Sequence, residues 1–222
     1  MQGKIFVIEG TDGSGKQTQT EKLYEAIRQD YNVVKQSFPN YVSKSSELVK
    51  MYLNGEFESK IGNLDAFQAS VLYAVDRMVT YEFELKEKLI EGSIIIFDRY
   101  TTSNAYHQAC KIKNPAKRDE FLEWLYDFEF NMLKLPKPDK VIFLDMPYEK
   151  SRELREGREL KAGTKKDIHE QNEEYMKEAY KVGVETANKL GWKRISCVNN
   201  DGKIKSIDEI HKEVWREIKK EL

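Results

Sequence analysis

Five short apolar runs, each separated from the next by a stretch long enough for a helix, constrain this chain more than any other feature. They are Ile5 to Ile8, Val33-Val34, Ser93 to Phe97, Lys140 to Leu144 and Arg194 to Val198. None alternates in and out like a strand with one wet face, so each reads as a parallel strand covered on both sides. A repeated strand–helix rhythm of this kind predicts an α/β fold, a doubly wound parallel sheet of about five strands flanked by helices. The 222 residues suit a single domain over the whole chain, because a chain of this size buries about 70% of the surface it exposes when unfolded.

Two helices are legible in advance. From Asp65 to Ile90 the apolar positions Phe67, Val71, Val75, Met78 and Leu85 recur at helical spacing. Near the carboxyl end, Ser206-Ile207-Asp208-Glu209 has the form of a capping box, and the pattern places Ile207, Ile210, Val214 and Ile218 on one face. The stretch from Arg152 to Glu174 is highly charged and nearly free of bulky apolar residues. Alone it reads either as a solvated surface loop or as a mobile lid.

Composition removes several functional classes. Lys plus Arg total 37 against 38 Asp plus Glu, so the global positive field of a nucleic-acid or acidic-membrane binder is absent. No run approaches the roughly 20 apolar residues of a membrane helix. Met1 leads almost at once into Ile5-Phe6-Val7-Ile8, without the pattern of a secretory leader. Cys110 and Cys197 are too few for a disulfide framework and read as buried free thiols. His169-Glu170 is no zinc motif, because Glu173 stands where the second His would be. The expectation is a soluble cytoplasmic protein with neither nucleic acid nor membrane as partner.

The chemistry concentrates in Gly10-Thr11-Asp12-Gly13-Ser14-Gly15-Lys16, between the first strand and a helical pattern. Backbone N–H groups of such a P-loop converge on phosphate oxygens, the following helix N-terminus adds partial positive charge, and Lys16 reaches the terminal phosphates. Gln17 stands where Ser or Thr would normally place a hydroxyl on Mg²⁺. A second signal, Asp98-Arg99-Tyr100, ends the run Ile94-Ile95-Ile96-Phe97. The carboxyl ends of strands line the ligand crevice of an open α/β sheet. There Asp98 can hold a metal-bound water and Arg99 can grip a phosphate, or the two form a structural ion pair. Phe38-Pro39 follows the second strand, Ser70, Tyr73 and Arg77 share a helix face, and Ser103 and Gln108 follow Asp98-Arg99-Tyr100. Singly these are ordinary packing residues; together they supply the flat aromatic, forked cation and polar groups that recognise a nucleobase.

In this order the motifs resemble those of the thymidylate kinase family, P-loop enzymes that move a phosphoryl group from ATP to dTMP. The resemblance runs over most of the chain, from Phe6-Val7-Ile8-Glu9-Gly10 through Tyr73-Ala74-Val75-Asp76-Arg77 and Leu144-Asp145 to a lid at about 152–174 carrying Arg158 and Asp167-Ile168-His169-Glu170. It implies that Gly10 to Lys16, with Gln17 and Thr18, bind ATP, that Arg158 lies against the ATP adenine or its phosphates, and that Lys16, Asp98, Arg99 and Arg158 serve catalysis. Asp98 and Gln17 would attend Mg²⁺. Asp12 would accept a hydrogen bond from the acceptor 3′-hydroxyl, Tyr73 would stack on thymine, Arg77 would meet its carbonyl oxygen and Arg99 would hold the dTMP phosphate. Phe38, Pro39, Ser103, His107 and Gln108 would complete the acceptor pocket, and a homodimer is implied.

Several positions depart from the family pattern. Tyr41 stands where many members have an Arg aimed at the acceptor phosphate, and His107 stands where an aromatic residue screens the sugar 2′ position. Gly13 lacks the basic side chain that some members carry within the loop. The missing cation is therefore expected from the lid, among Arg152, Arg155, Arg158, Lys161, Lys165 and Lys166. The alternatives are a kinase for another nucleoside monophosphate or a deoxynucleoside, and a non-catalytic nucleotide-binding module.

Overall fold

Each apolar run becomes a strand, but only the three central strands are buried on both faces; in the two edge strands Lys35, Ser37 and Ser196 are exposed, because an edge strand has a neighbour on one side alone. The strands are β1 (Lys4–Glu9), β2 (Val33–Ser37), β3 (Ile94–Asp98), β4 (Lys140–Asp145) and β5 (Lys193–Ser196). They lie in the order β2-β3-β1-β4-β5, and every pairing is parallel. The computed structural model describes residues 3–58, 62–162, 168 and 172–222, without the side chains of 158–162.

Alternation along the central strand divides the core into two layers. Ile5 and Val7 point to one side with Ile95, Phe97 and Phe143, while Phe6 and Ile8 point to the other with Ile94, Ile96 and Ile142. The second layer is covered by α1 (Lys16–Ile27), through Leu23 and Ile27, and by α9 (Ile207–Ile218), through Ile210, Val214 and Ile218. The first is covered by α3 (Ala66–Thr80), α5 (Thr101–His107), α6 (Pro115–Tyr126) and α8 (Glu173–Lys189). The remaining helices are α2 (Glu47–Leu53), α4 (Lys86–Ile90) and α7 (Tyr148–Ala162). A π-helical turn, Tyr81–Leu85, joins α3 to α4, and another, Asp127–Met132, extends α6. Among the described residues no helix is long and apolar enough to cross a membrane.

Three expectations need correction. The capping box at Ser206 and Glu209 is present, but Ile207 is 54% exposed. It occupies the first turn of α9, on the flank of the face that Ile210 presents to the sheet. The apolar stripe expected on α3 is not its buried stripe: Phe67 and Val71 are 39% and 37% exposed. The inner face carries Ala66, Ala69, Ser70, Ala74, Asp76, Arg77 and Thr80 instead. Hydrogen-bonded polar side chains take the place of apolar packing there, because α3 borders a cleft. Finally, the charged segment beginning at Arg152 is not a loop in its first part, since Arg152 to Ala162 belongs to α7. Its charges pair along the helix, Lys150 with Glu153 at 2.8 Å and Arg152 with Glu156 at 3.6 Å, as three- and four-residue spacing allows.

Candidate active site

β1 sends its connection toward β2 while its neighbour β4 sends its own toward β5. A crevice opens at the carboxyl ends of strands where connections diverge in this way. The loop from Gly10 to Gly15 leaves β1 at this point and feeds directly into α1, whose N-cap Gly15 makes no side-chain cap. The first-turn N–H groups of α1 are thus left to an anion. Lys16 folds back into the loop, its Nζ donating to Thr11 O at 2.9 Å and lying 3.7 Å from the Asp12 carboxylate. Burial, reinforced by Arg99, lowers the Lys16 ammonium to about 8. The buried hydroxyls of Thr11 and Ser14 have no hydrogen-bond partner among the described residues. Unpartnered hydroxyls, uncapped N–H groups and a desolvated ammonium suit a polyphosphate.

Gly13 must be glycine for two reasons. Its φ is +84°, and a Cβ there would sit 2.4 Å from Ser151 O and 2.9 Å from Arg155 Cγ. The tip of the loop is therefore in contact with α7. Arg155 is buried, and its Nη1 donates to Asp12 O at 2.9 Å and to Ser151 Oγ at 3.3 Å.

Arg99 joins the loop to the other half of the cleft. Its backbone sits in the left-handed region, φ +69°, which is uncommon for a side-chain-bearing residue and is found at constrained functional positions. From there Nη2 meets the Asp12 carboxylate, while Nη1 lies 3.1 Å from His107 Nε2 and 3.4 Å from Ser103 Oγ. Burial pushes the Asp12 carboxyl up, but Arg99 and Lys16 outweigh it and hold the group well below the usual carboxylate range. Asp12 is ionised at any working pH.

A buried glutamate that sequence reasoning passed over organises this junction. Glu9 accepts from Tyr100 N at 3.2 Å, Thr102 Oγ1 at 2.6 Å, Ser103 Oγ at 2.9 Å and Tyr106 OH at 2.9 Å. The available signal was a carboxylate ending an apolar strand, where no solvent satisfies it.

The expected acceptor residues lie around the same opening. Asp12, Gly13, Gly15 to Thr18, Phe38, Pro39, Tyr73, Arg77, Asp98, Arg99, Ser103, His107 and Gln108 line one cleft of about 620 Å³. Tyr41, Leu53, Asn104 and Leu154 line it as well, and sequence reasoning had not picked out the last three. Ser70 is not among the lining residues; its hydroxyl donates to Ala66 O at 2.7 Å. Arg77 is anchored from behind, its Nε and Nη2 donating to the Glu129 carboxylate at 2.7 and 2.5 Å. Gln108 is buried, and its Oε1 has no partner among the described residues. Gln17 and Thr18 are exposed at the mouth.

Among the described residues no three His, Cys, Asp or Glu side chains converge as a metal site. An ion beside Asp98 would depend on phosphate oxygens and water, which Mg²⁺ accepts because it dehydrates reluctantly. The Arg158 side chain and residues Lys165, Lys166, Asp167, His169 and Glu170 lie outside the described residues, as does the Lys161 side chain. Ile168 is described, and its backbone N–H donates to Leu53 O at 3.3 Å, at the end of α2. Both cysteines are buried free thiols.

Comparison with known proteins agrees with this geometry. The family model described as thymidylate kinase matches residues 8–212. A thymidylate kinase of Danio rerio is 28% identical over 216 residues, covering 96% of this chain and 88% of that protein. One from Mycobacterium tuberculosis is 31% identical over 192 residues, covering 85% and 87%. The solved thymidylate kinase of Candida albicans superposes with a TM-score of 0.74 at 22% identity, over 99% of this chain and 92% of that one; this last likeness speaks for the fold. A family match that spans nearly the whole chain, and that takes in the loop where Lys16 lies against Asp12, means that the chain belongs to the thymidylate kinase family of nucleotide-phosphorylating enzymes.

Proposed function

We propose that this protein transfers the γ-phosphoryl group of ATP to dTMP, giving dTDP and ADP. The observation that supports the reading is that one cleft is lined both by Asp12, Gly13 and Gly15 to Thr18 of the loop and by Tyr73, Arg77, Arg99 and Gln108, with Arg99 in contact with Asp12. The triphosphate lies along Gly10 to Thr18, with Lys16 against its terminal oxygens. Tyr73 offers its ring to the acceptor base, Arg77 its N–H groups to a base carbonyl, and Phe38 and Pro39 close the pocket with His107 and Gln108. Arg99, between the two, holds the acceptor phosphate, while the ionised Asp12 accepts the sugar 3′-hydroxyl. Phosphoryl transfer needs little covalent help from protein, so alignment and charge neutralisation supply most of the acceleration.

Mg²⁺, when bound beside Asp98 and Gln17, would neutralise charge on the ATP oxygens. Arg158 belongs to the same reading as a lid cation. A lid at about 152–174, much of it outside the described residues, belongs to the same reading and would keep water from competing as acceptor. Assembly as a homodimer and a cytoplasmic location complete it; the exposed Phe67 and Val71 on α3 offer an apolar face to a second copy, and sedimentation equilibrium tests this.

A coupled ADP-release assay with dTMP, dUMP, UMP and thymidine tests the function. Release that depends on dTMP above the other three supports it. ATP binding with no acceptor-dependent release would mean a nucleotide-binding module, and preference for another acceptor would mean a different kinase.

A further inference from the structure

Arg77 lines the cleft and is held from behind by a carboxylate. Glu129 sits in the π-helical turn Asp127–Met132, fully buried, and is absent from the residues lining the cleft. Its carboxylate accepts Arg77 Nε at 2.7 Å and Nη2 at 2.5 Å, Thr101 Oγ1 at 2.7 Å and Asn104 Nδ2 at 3.4 Å. One carboxylate thus ties α3, α5 and the end of α6 together at the back of the pocket.

The arrangement is costly as pure architecture. A buried ion pair gains little over well-packed apolar residues of the same volume, because two charges must leave water. What it does supply is orientation. A guanidinium has five N–H groups in a rigid fork. The Nε edge is spent on Glu129, which leaves the Nη1 edge and one Nη2 hydrogen for the cleft that Arg77 lines. An arginine offers donors alone, so what it reads must be an acceptor.

We infer that Glu129 is the positioning residue that aims this donor edge of Arg77 at the exocyclic carbonyl of a pyrimidine. Through Arg77 it discriminates a 4-oxo base from a 4-amino base. The inference rests on the acceptor-kinase reading above and extends it to a residue that touches no substrate. A cytosine-type base would turn its own amino hydrogens toward the same donors and leave both unpaired, the situation in which polar specificity is greatest. Glu129→Gln breaks the aim without emptying the space: its amide NH₂ confronts the Arg77 donors, and half of the fork has nothing to accept it.

The test is steady-state kinetics with dTMP and dCMP on the wild type, Glu129→Gln, Glu129→Asp, Arg77→Met and the Arg77→Met/Glu129→Gln double variant. Glu129→Gln is expected to raise KM for dTMP by roughly 10- to 100-fold, the scale of one buried charge-assisted contact. KM for ATP should hold and kcat should move by no more than about threefold. The preference for dTMP over dCMP should shrink by a similar factor, and Glu129→Asp, which keeps the charge, should restore part of it. In the Arg77→Met background Glu129→Gln should add nothing to the preference, because its action runs through Arg77. An unchanged KM for dTMP, a proportional loss in both substrates and kcat, or a further loss in the Arg77→Met background would overturn the assignment. If Glu129→Gln does not fold, Glu129→Asp decides: a KM for dTMP equal to the wild-type value overturns it. Absence of dTMP turnover in the wild type would sink the functional reading itself, which is a separate result.

Discussion

Arg155 of α7 donates to the carbonyl oxygen of Asp12 at 2.9 Å, so a guanidinium from outside the phosphate loop rests on its backbone. The loop itself supplies only Lys16 as a cation, and Gly13 leaves the space that the Arg155 stem fills. Replacement by Met keeps most of the packing but removes the donor. Arg155→Met is expected to lower kcat/KM for ATP by roughly 10- to 100-fold, as loss of a buried charged hydrogen bond does. Arg152→Ala, which breaks an exposed pair with Glu156, is expected to stay within about twofold. Initial rates against ATP concentration check both; equal effects would mean that the Asp12 contact is incidental.

Gly13 and Gly191 separate backbone strain from collision. Both have positive φ, +84° and +68°, but an added Cβ meets Ser151 O at 2.4 Å in the first case and open space in the second. Gly191→Ala is expected to cost about 1 kcal/mol of stability and to spare activity, since only the left-handed penalty applies. Gly13→Ala adds a displaced α7, so a loss of about 2–4 kcal/mol and a raised KM for ATP are expected. Denaturant titration and ATP kinetics on the two variants measure the difference.

The fold was legible because strands buried on both faces, as β1, β3 and β4 are, announce themselves as apolar runs, and the two more exposed edge strands still lie where the shorter runs Val33-Val34 and Arg194 to Val198 are. The phosphate loop was legible from its glycines and lysine directly after a strand, whereas Asp98-Arg99 alone read equally as a structural ion pair, and the structure turns Arg99 to Asp12 instead. What sequence could not give was the polar interior. Glu9, Glu129 and Asp76 are charged residues in apolar or helical surroundings, and their burial depends on partners far along the chain, Tyr106 for Glu9 and Arg77 for Glu129. The same interior misdirected the reading of α3, where periodicity marked Phe67 and Val71 while hydrogen-bonded Asp76 and Arg77 took the buried face. Arg155 was one of six lid cations by sequence, and of the two whose side chains are described it is Arg155, not Arg152, that packs on Gly13.

Lys16 gives the protein a pH dependence of definite sign. Its ammonium is lowered from 10.5 to about 8, first by burial and then by Arg99. Below pH 8 the group is charged in both folded and unfolded chains, and its burial opposes folding. As pH rises from about 8 toward 10.5 the folded protein gives up the proton first, so this group's contribution to stability improves with pH. Nucleotide binding moves the other way. Affinity for a non-hydrolysable ATP analogue is expected to fall above pH 8, approaching about tenfold per pH unit, as the cation is lost. Lys16→Arg should abolish the limb, since guanidinium stays charged. A flat affinity profile through this range in the wild type would contradict it.

Gln17 is exposed beside Thr18 at the mouth of the cleft. A Thr hydroxyl at position 17 is short enough to reach an ion at about 2.1 Å, whereas the longer amide has to fold back. Gln17→Thr is therefore expected to reduce the Mg²⁺ concentration for half-maximal rate by a few-fold, with the maximal rate little changed. A titration of free Mg²⁺ at fixed ATP reads this directly; coincident curves would show that Gln17 does not attend the metal.

On the proposed reading, both ends of the cleft serve one transfer, with Arg99 and Asp12 in contact at the meeting point. It is tested most directly by incubating the protein with γ-labelled ATP, Mg²⁺ and dTMP and separating the products. Label recovered in dTDP, with little in inorganic phosphate and none in dTDP when Mg²⁺ is chelated, is the predicted result. Label released only as inorganic phosphate, or retained in ATP whether or not dTMP is present, would contradict it.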